Sequence, residues 1–145
     1  MSEALLPDEI RAVLDNGVPC VLATCSADGA PNATIISQAY WVDPKRVALS
    51  FQFFSKTIRN VRENPHASLC LSDFERDLFW VLDLEYERSE TEGPVFDQMD
   101  MQIEAIASAT GMSGIFKLKA ADIYRVRGVR TVCATTPASP ASPRS

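Results

Sequence analysis

The sequence contains a single histidine, His66, and no C-x-x-C pair among its four cysteines, Cys20, Cys25, Cys70 and Cys133. A structural zinc site normally needs four clustered cysteine or histidine ligands, so this pattern argues against a metal site. His66 directly follows a proline and enters an apolar run, which predicts a half-buried histidine at a strand edge. A cysteine nucleophile would need His66 beside it in the fold, and no local motif predicts that pairing.

No stretch of about 18 consecutive apolar residues occurs, so no membrane-spanning helix is predicted. The N-terminal residues are acidic where a signal peptide would be positively charged, and we therefore expect a cytoplasmic protein. Basic side chains are also few: 14 Lys plus Arg stand against 19 Asp plus Glu, for a net charge of −5. This balance argues against nucleic acid as the main partner, because phosphate binding needs a basic surface.

What remains is an ordinary globular composition. Of the 145 residues, 46% are apolar and 23% are charged, which excludes a disordered chain. The length favours one domain, which we place at residues 1–133. Residues 134–145 are rich in proline, serine and alanine, and we expect a disordered tail there.

Hydrophobic periodicity and turn signals predict a mainly β protein with a few helices. The predicted helices cover residues 7–16, 55–63 and 94–111. The predicted strands cover residues 18–25, 32–42, 47–53, 67–71, 78–87, 116–119 and 123–129. The links between the first three strands have hairpin length, which indicates an antiparallel meander rather than a parallel sheet. Many short strands in this order predict a closed or partly closed antiparallel barrel.

One segment, residues 50–60, carries a chemical signal. A strand ends there, and a helix begins at Ser55, Lys56 and Thr57, with Asn60 one turn further on. Two hydroxyls and an ammonium at a helix N-terminus suit a phosphate, because the backbone N–H groups there are unpaired. A nucleotide P-loop is excluded, since its glycines are missing. The alternative is that these residues only cap an ordinary helix.

The order of these features resembles the FMN-binding split-barrel family, whose best-known member is the pyridoxamine 5′-phosphate oxidase superfamily. A Gly-x-Pro strand, a turn, an apolar strand, Ser-Lys-Thr, Asn and then Asn-Pro follow one another over residues 18–71. Residues 88–126 resemble a bacterial subgroup of the same superfamily. The resemblance implies an antiparallel split β-barrel.

The resemblance also implies the residues of a cofactor site. The FMN phosphate would lie at Ser55, Lys56 and Thr57, with Asn60 in support. The backbone along the isoalloxazine edge would be that of Thr34, Ile35 and Ile36. The ring and the ribityl chain would be lined by Ser50, Phe51 and Gln52. Many relatives carry the lysine where Thr57 stands, and the alternative for the strand residues is an ordinary barrel wall.

Members of this family are usually homodimers with flavin between the subunits. Five large aromatic residues near predicted strand ends suit such an interface or, alternatively, the core. These residues are Trp41, Phe53, Phe54, Phe79 and Trp80.

The resemblance favours an FMN-dependent oxidoreductase of a small-molecule substrate, with no catalytic side chain predicted because the flavin carries the chemistry. The alternatives are a non-catalytic flavin or haem module, with His66 as the iron ligand, and an F420-dependent reductase, which the net charge of −5 weakly opposes. Pyridoxamine phosphate is not the expected substrate. The chain has Arg125, Arg127 and Arg130 near its end, but no tryptophan follows Trp80.

Overall fold

The computed structural model describes residues 5–15, 19–36, 38–51, 55–109, 111 and 118–132. Within these residues the chain forms three helices and seven strands, so the predicted mainly β class is confirmed. The helices are α1 (Asp8–Asp15), α2 (Ser55–Glu63) and α3 (Pro94–Ala109). The strands are β1 (Cys20–Cys25), β2 (Pro31–Ile36), β3 (Ala39–Asp43), β4 (Arg46–Phe51), β5 (His66–Asp73), β6 (Leu78–Glu90) and β7 (Ala120–Val132).

The strands form one antiparallel sheet in the order β2-β1-β5-β6-β7-β4-β3. Strands β2 and β3 lie at its two edges, yet only residues 37 and 38 separate them along the chain. The sheet must therefore curl until its edges meet. At that junction the Ser50 backbone N–H donates to the Gln38 carbonyl at 3.2 Å, and β2 contacts β4. The predicted antiparallel split β-barrel is thus confirmed.

The prediction of one continuous strand over residues 32–42 is wrong, and so is the meander of the first three strands. The chain ends β2 at Ile36 and begins β3 at Ala39, on the opposite edge of the sheet. The sequence carries no sign of this crossing because apolar residues flank it on both sides and neither glycine nor proline marks it. The predicted strand over residues 116–119 is also not observed where it can be checked. Residues 116 and 117 lie outside the described residues, and Leu118 and Lys119 precede β7 without strand structure.

The hairpin predicted at the Asp-Gly pair is confirmed. Residues 26–30 connect β1 to β2, and Gly29 adopts a φ of 92°, in the left-handed region that favours glycine. This turn holds the carboxyl end of β1 next to the start of β2. Both strand ends lie beside α2, which gives the hairpin its place in the candidate site. The tail over residues 134–145 lies outside the described residues.

The main core fills the barrel, and two helices contribute to it. Apolar residues of α1 and α2 pack against inward-facing leucines of the sheet because each helix has one apolar face. The helical contributors are Ile10, Val13, Leu14, Ile58 and Val61. Helix α3 instead packs on the outside of β4 and β7, where Met99 and Ile103 meet Ala48, Ala121 and Ile123. No helix in the described ranges has the length and apolarity needed to cross a membrane.

The five aromatic residues predicted for an interface or the core do not share one location. Trp80 is buried in the main core, and Trp41 is partly buried against it. The guanidinium of Arg11 lies 3.9 Å from the Trp41 ring centroid and covers that ring. Phe79 is partly buried, and residues 53 and 54 lie outside the described residues. Trp80 therefore serves the core rather than an interface.

Candidate functional site

Helix α2 begins where the sequence predicted an anion site. Lys56 is exposed in its first turn, where backbone N–H groups have no acceptor within the helix and carry partial positive charge. Gln52 lies outside the described residues, and so do the side chains of Phe51 and Ser55. The described part of the predicted phosphate site therefore consists of the exposed ammonium of Lys56 and the positive end of the helix.

Thr57 and Asn60 face inward, toward the β1–β2 hairpin. Their exposed fractions are 5% and 3%. The Asn32 side-chain amide donates to the Thr57 hydroxyl at 3.3 Å, and the Asn60 amide donates to the Thr24 hydroxyl at 3.2 Å. These bonds fasten α2 to the hairpin and so position its first turn. Direct contact of either residue with a phosphate stays a prediction.

The outward face of α2 carries three cations, which we call the α2 cation row: Lys56, Arg59 and Arg62. All three are exposed, and their spacing of three residues places them on adjoining turns of one face. Over the ranges that the structure describes, none of them forms an ion pair. Sequence reasoning placed Asn60 one turn beyond Lys56, but the exposed residue there is Arg59. The three-residue spacing of the cations was the signal that could have identified it.

Lys56 of the α2 cation row contributes to the lowered pKa of Asp28, an acidic residue in the hairpin turn. The pKa of Asp28 lies below its usual range, first because the Ser26 hydroxyl donates a hydrogen bond to its carboxylate. Backbone hydrogen bonds contribute as well, and attraction by Lys56 is the smallest cause. The positive field of Lys56 therefore extends toward the turn that precedes β2.

The three predicted residues of β2 do not share one side of the strand. Ile35 is 65% exposed on the outer face, whereas Ile36 is buried and Thr34 is half-buried on the other. A cofactor outside the barrel could thus contact the Ile35 side chain but only the backbone of its two neighbours. The backbone role that the resemblance implied for this strand stays a prediction.

Ser50 is buried at the junction of the sheet edges. Its hydroxyl donates to the Gln38 carbonyl at 3.3 Å, in addition to the bond from its backbone N–H. The side chain therefore helps to hold the end of β4 against the chain that links β2 to β3. The role of Ser50 in lining a ribityl chain stays a prediction.

A second feature, a cavity of about 420 Å³, lies on the outer side of β1, β5 and β6. None of the predicted cofactor residues that the structure describes lines it. His66 is exposed here, so the prediction of a half-buried histidine is wrong: the first residue of β5 points its side chain away from the core. The lining residues are Ala23, Thr24, Cys25, Asn64, His66, Ala67, Ser68, Asp83, Leu84 and Arg127.

The three C-terminal arginines bind carboxylates of the neighbouring strand. Arg125 and Arg127 donate to the same Glu85 oxygen at 3.1 and 3.0 Å, and Arg130 lies 3.6 Å from Asp83. The hydrogen bond from Arg125 is the largest cause that lowers the pKa of Glu85. These guanidiniums therefore have carboxylate partners within the chain.

A buried carboxyl group lies near the other end of α2. Asp122 accepts a 2.7 Å hydrogen bond from the Ser89 hydroxyl, which lies 2.5 Å from the Tyr86 hydroxyl. Burial raises the pKa of Asp122 to about 6, while the Ser89 hydrogen bond and the Arg62 charge act in the opposite direction. Asp122 also raises the pKa of Tyr124, although burial of the phenol is the larger cause.

No group of three or more possible metal ligands is found among the described residues. The described site comprises three features: the cationic face of α2, the exposed edge of β2 at Ile35, and the separate outer cavity. Such a constellation can bind an anion and present a flat ligand to β2. Among its described residues we find no side chain placed for proton transfer at that edge.

The family model for pyridoxamine 5′-phosphate oxidase matches residues 6–127 of the chain. A search of the curated proteins gives no match. The family match covers all described elements except the last residues of β7, so it includes α2, the hairpin and the outer cavity.

Several solved structures share the fold. An FMN-binding protein from Syntrophomonas wolfei has a TM-score of 0.73 and 16% identity, over 89% of this chain and 87% of that chain. An F420 reductase has a TM-score of 0.64 and 14% identity, over 86% and 98%. The haem storage protein HutZ from Vibrio cholerae has a TM-score of 0.57 and 18% identity, over 87% and 94%. At these identities the likeness shows the fold alone.

Proposed function

The chain belongs to the pyridoxamine 5′-phosphate oxidase family, and we propose that it is an FMN-binding flavoprotein that acts as an oxidoreductase on a small molecule. The α2 cation row carries this proposal. A protein with a net charge of −5 has concentrated three exposed cations on one face of one helix, beginning in its first turn. Cations that form no ion pair within the described residues, at the N-terminus of a helix in an acidic protein, suit a phosphate monoester.

The residues present fit FMN at two separate points. Lys56 and Arg59 would hold the phosphate, and the first turn of α2 would add backbone N–H donors. The exposed edge of β2 at Ile35 would lie along the isoalloxazine ring, and Thr57 and Asn60 would keep helix and hairpin in register. When bound, FMN supplies hydride or single-electron transfer, and the protein supplies orientation and electrostatics.

The visible absorption spectrum of the purified protein, before and after addition of FMN, tests this proposal. We expect the two bands of a bound flavin, with a shift relative to FMN in buffer. A Soret band from added haemin, lost in His66→Ala, would instead support the haem alternative. A spectrum of added FMN identical to that in buffer would contradict the flavin proposal.

The deazaflavin F420 is the second candidate cofactor, and the length of the α2 cation row favours it. Arg62 lies about 9 Å along the helix axis from Lys56, beyond the reach of a single phosphate bound at the first turn. The acidic tail of F420, running along α2, would bind Arg62. The positive charge of this helix face therefore counts for more than the protein's net charge of −5, which weakly opposes F420. Arg62→Ala should then weaken F420 binding and leave FMN binding unchanged.

We propose that the protein is a homodimer, through an apolar row on the outer face of the sheet. Cross-strand pairing aligns Ile35 with Val21, Val21 with Cys70, and Cys70 with Val81. Ile35 and Val21 are 65% and 41% exposed, and Cys70 is exposed as well. Since this row includes Ile35, a second copy covering it would also enclose the flavin edge.

A charge placed in this row should break the dimer. We expect Val21→Asp to convert a dimer of about 32 kDa, twice the 15.9 kDa chain, to a monomer in light scattering, because a carboxylate cannot be buried unpaired. Met101→Asp is the matched control, since Met101 is exposed on α3, away from the row. A wild-type protein that is monomeric at micromolar concentration would contradict the homodimer.

A further inference from the structure

A cysteine, a histidine and a carboxylate lie in one row across the outer face of the sheet. Cys25 ends β1 and His66 begins β5, each one residue beyond the last pair of these two strands, Thr24 with Ala67. His66 in turn pairs with Glu85 of β6. Directly opposite residues have Cβ atoms about 4.5–5.5 Å apart, so His66 and Glu85 are close neighbours.

Cys25 and His66 both line the outer cavity, so the row is open to a ligand. The small residues Ala23 and Ser68 form part of the cavity floor, two positions along from Cys25 and His66. On the neighbouring strand, Gly128 leaves room for the Asp83 side chain. A Cβ at position 128 would approach an Asp83 carboxylate oxygen to 3.1 Å. A volume of about 420 Å³ accommodates a small organic molecule next to the thiol.

Glu85 is fixed in place as a carboxylate. Arg125 and Arg127 hydrogen-bond to it from β7, and its pKa lies below the usual range, in small part because of His66. In this row Glu85 lies on the far side of His66 from Cys25. The order thiol, imidazole, carboxylate is the arrangement in which an imidazole accepts a proton from a thiol.

We propose that Cys25 is a nucleophilic thiol, assisted by His66, that forms mixed disulfides with low-molecular-weight disulfides entering the outer cavity. His66 accepts the thiol proton, and the Cys25 sulfur attacks one sulfur of the ligand. The ligand's S–S bond breaks as the new S–S bond forms. The departing thiolate takes the proton from His66 and leaves as a thiol. The ligand disulfide is the oxidant, so atoms and electrons balance.

The environments of Cys20 and Cys70 set them apart from Cys25. Cys20 is buried, and burial raises the pKa of its thiol to about 12, with a smaller contribution from Cys70. Cys70 is exposed, but its cross-strand neighbours are Val21 and Val81. In the part of the chain that the structure describes, only the Cys25 row contains an imidazole. Cys25, His66 and Glu85 are not among the predicted cofactor residues, so this proposal does not depend on flavin binding.

The test measures the rate at which hydroxyethyl disulfide modifies Cys25 at neutral pH, by mass spectrometry of the intact chain and its peptides. The parent protein carries Cys70→Ser and Cys133→Ser, and a peptide covering residues 21–31 supplies the reference thiol. We expect Cys25 in the folded protein to react at least about tenfold faster than in the peptide. His66→Gln should reduce the rate to about that of the peptide, and Glu85→Gln should lower it about threefold.

Asp83→Asn is the matched control, because Asp83 lines the same cavity but lies outside the Cys25 row. Its rate should stay within about twofold of the parent. Thermal melting of every variant checks that the fold is retained. The proposal is overturned if Cys25 reacts no faster in the folded protein than in the peptide, or if a folded His66→Gln variant reacts at the parental rate.

Discussion

Replacing Lys56 and Arg59 together by alanine should weaken FMN binding about a hundredfold and leave riboflavin binding within about threefold of the wild type. The two ligands differ only in the phosphate, and each hydrogen bond to a charged group contributes about 1.5–3 kcal/mol. Both side chains are exposed and make no ion pair within the described ranges, so their removal should not disturb the fold. Fluorescence quenching of each flavin gives both dissociation constants.

Two features of the structure determine this choice of variants. Thr57 also belongs to the predicted phosphate site, but it is buried and bonded to Asn32, so Thr57→Ala would alter the helix position as well. Arg76→Ala is the control, because Arg76 is an exposed cation in the β5–β6 turn, paired with Asp73. Equal losses of FMN and riboflavin affinity in the double variant would show that α2 does not bind the phosphate.

Asp122→Asn should stabilise the protein above pH 6 by about 2–3 kcal/mol. The carboxyl group is buried, and its pKa is raised to about 6 in the folded chain, against 3.8 for the ordinary group. The folded state therefore binds the proton more tightly than the unfolded state does. The contribution of Asp122 to stability is fully present below about pH 4 and is lost as the pH rises through 6. One pKa unit corresponds to about 1.4 kcal/mol.

Urea unfolding of wild type and variant between pH 4 and pH 8 measures this effect. The two free energies of unfolding should agree near pH 4 and diverge up to pH 6, with the variant higher. The amide oxygen of asparagine can still accept the hydrogen bond from Ser89. Asp100→Asn, at an exposed position on α3, should show no such divergence. A variant that is less stable than wild type at pH 8 would contradict this assignment.

The elements with strong local signals could be predicted from the sequence. Helix α2 has the predicted bounds, because two apolar residues three apart and a following proline define it. The β1–β2 hairpin follows from its Asp-Gly pair and a glycine with positive φ. Both features depend on residues that are neighbours in the sequence, so they can be predicted without knowledge of the tertiary fold. Together they place the positive end of α2 correctly.

Features that depend on distant pairing could not be predicted. The crossing from β2 to β3 reflects closure of the barrel, which no residue near position 37 encodes. The inward position of Asn60 goes with its hydrogen bond to the Thr24 hydroxyl of β1. The placement of Cys25 and His66 at one cavity likewise depends on how β1 pairs with β5. In each case the sequence contained the residues, but the tertiary fold and not chain order brought them together.

The dissociation constants of the unmodified protein for FMN and riboflavin decide whether α2 binds a flavin phosphate. We expect FMN to bind at least about thirtyfold more tightly than riboflavin, since the α2 cation row would contact only the phosphate. The titrations should be compared at low and high salt, because an exposed phosphate–cation contact weakens as salt rises. Equal affinities for the two flavins, or no binding of either, would contradict the account.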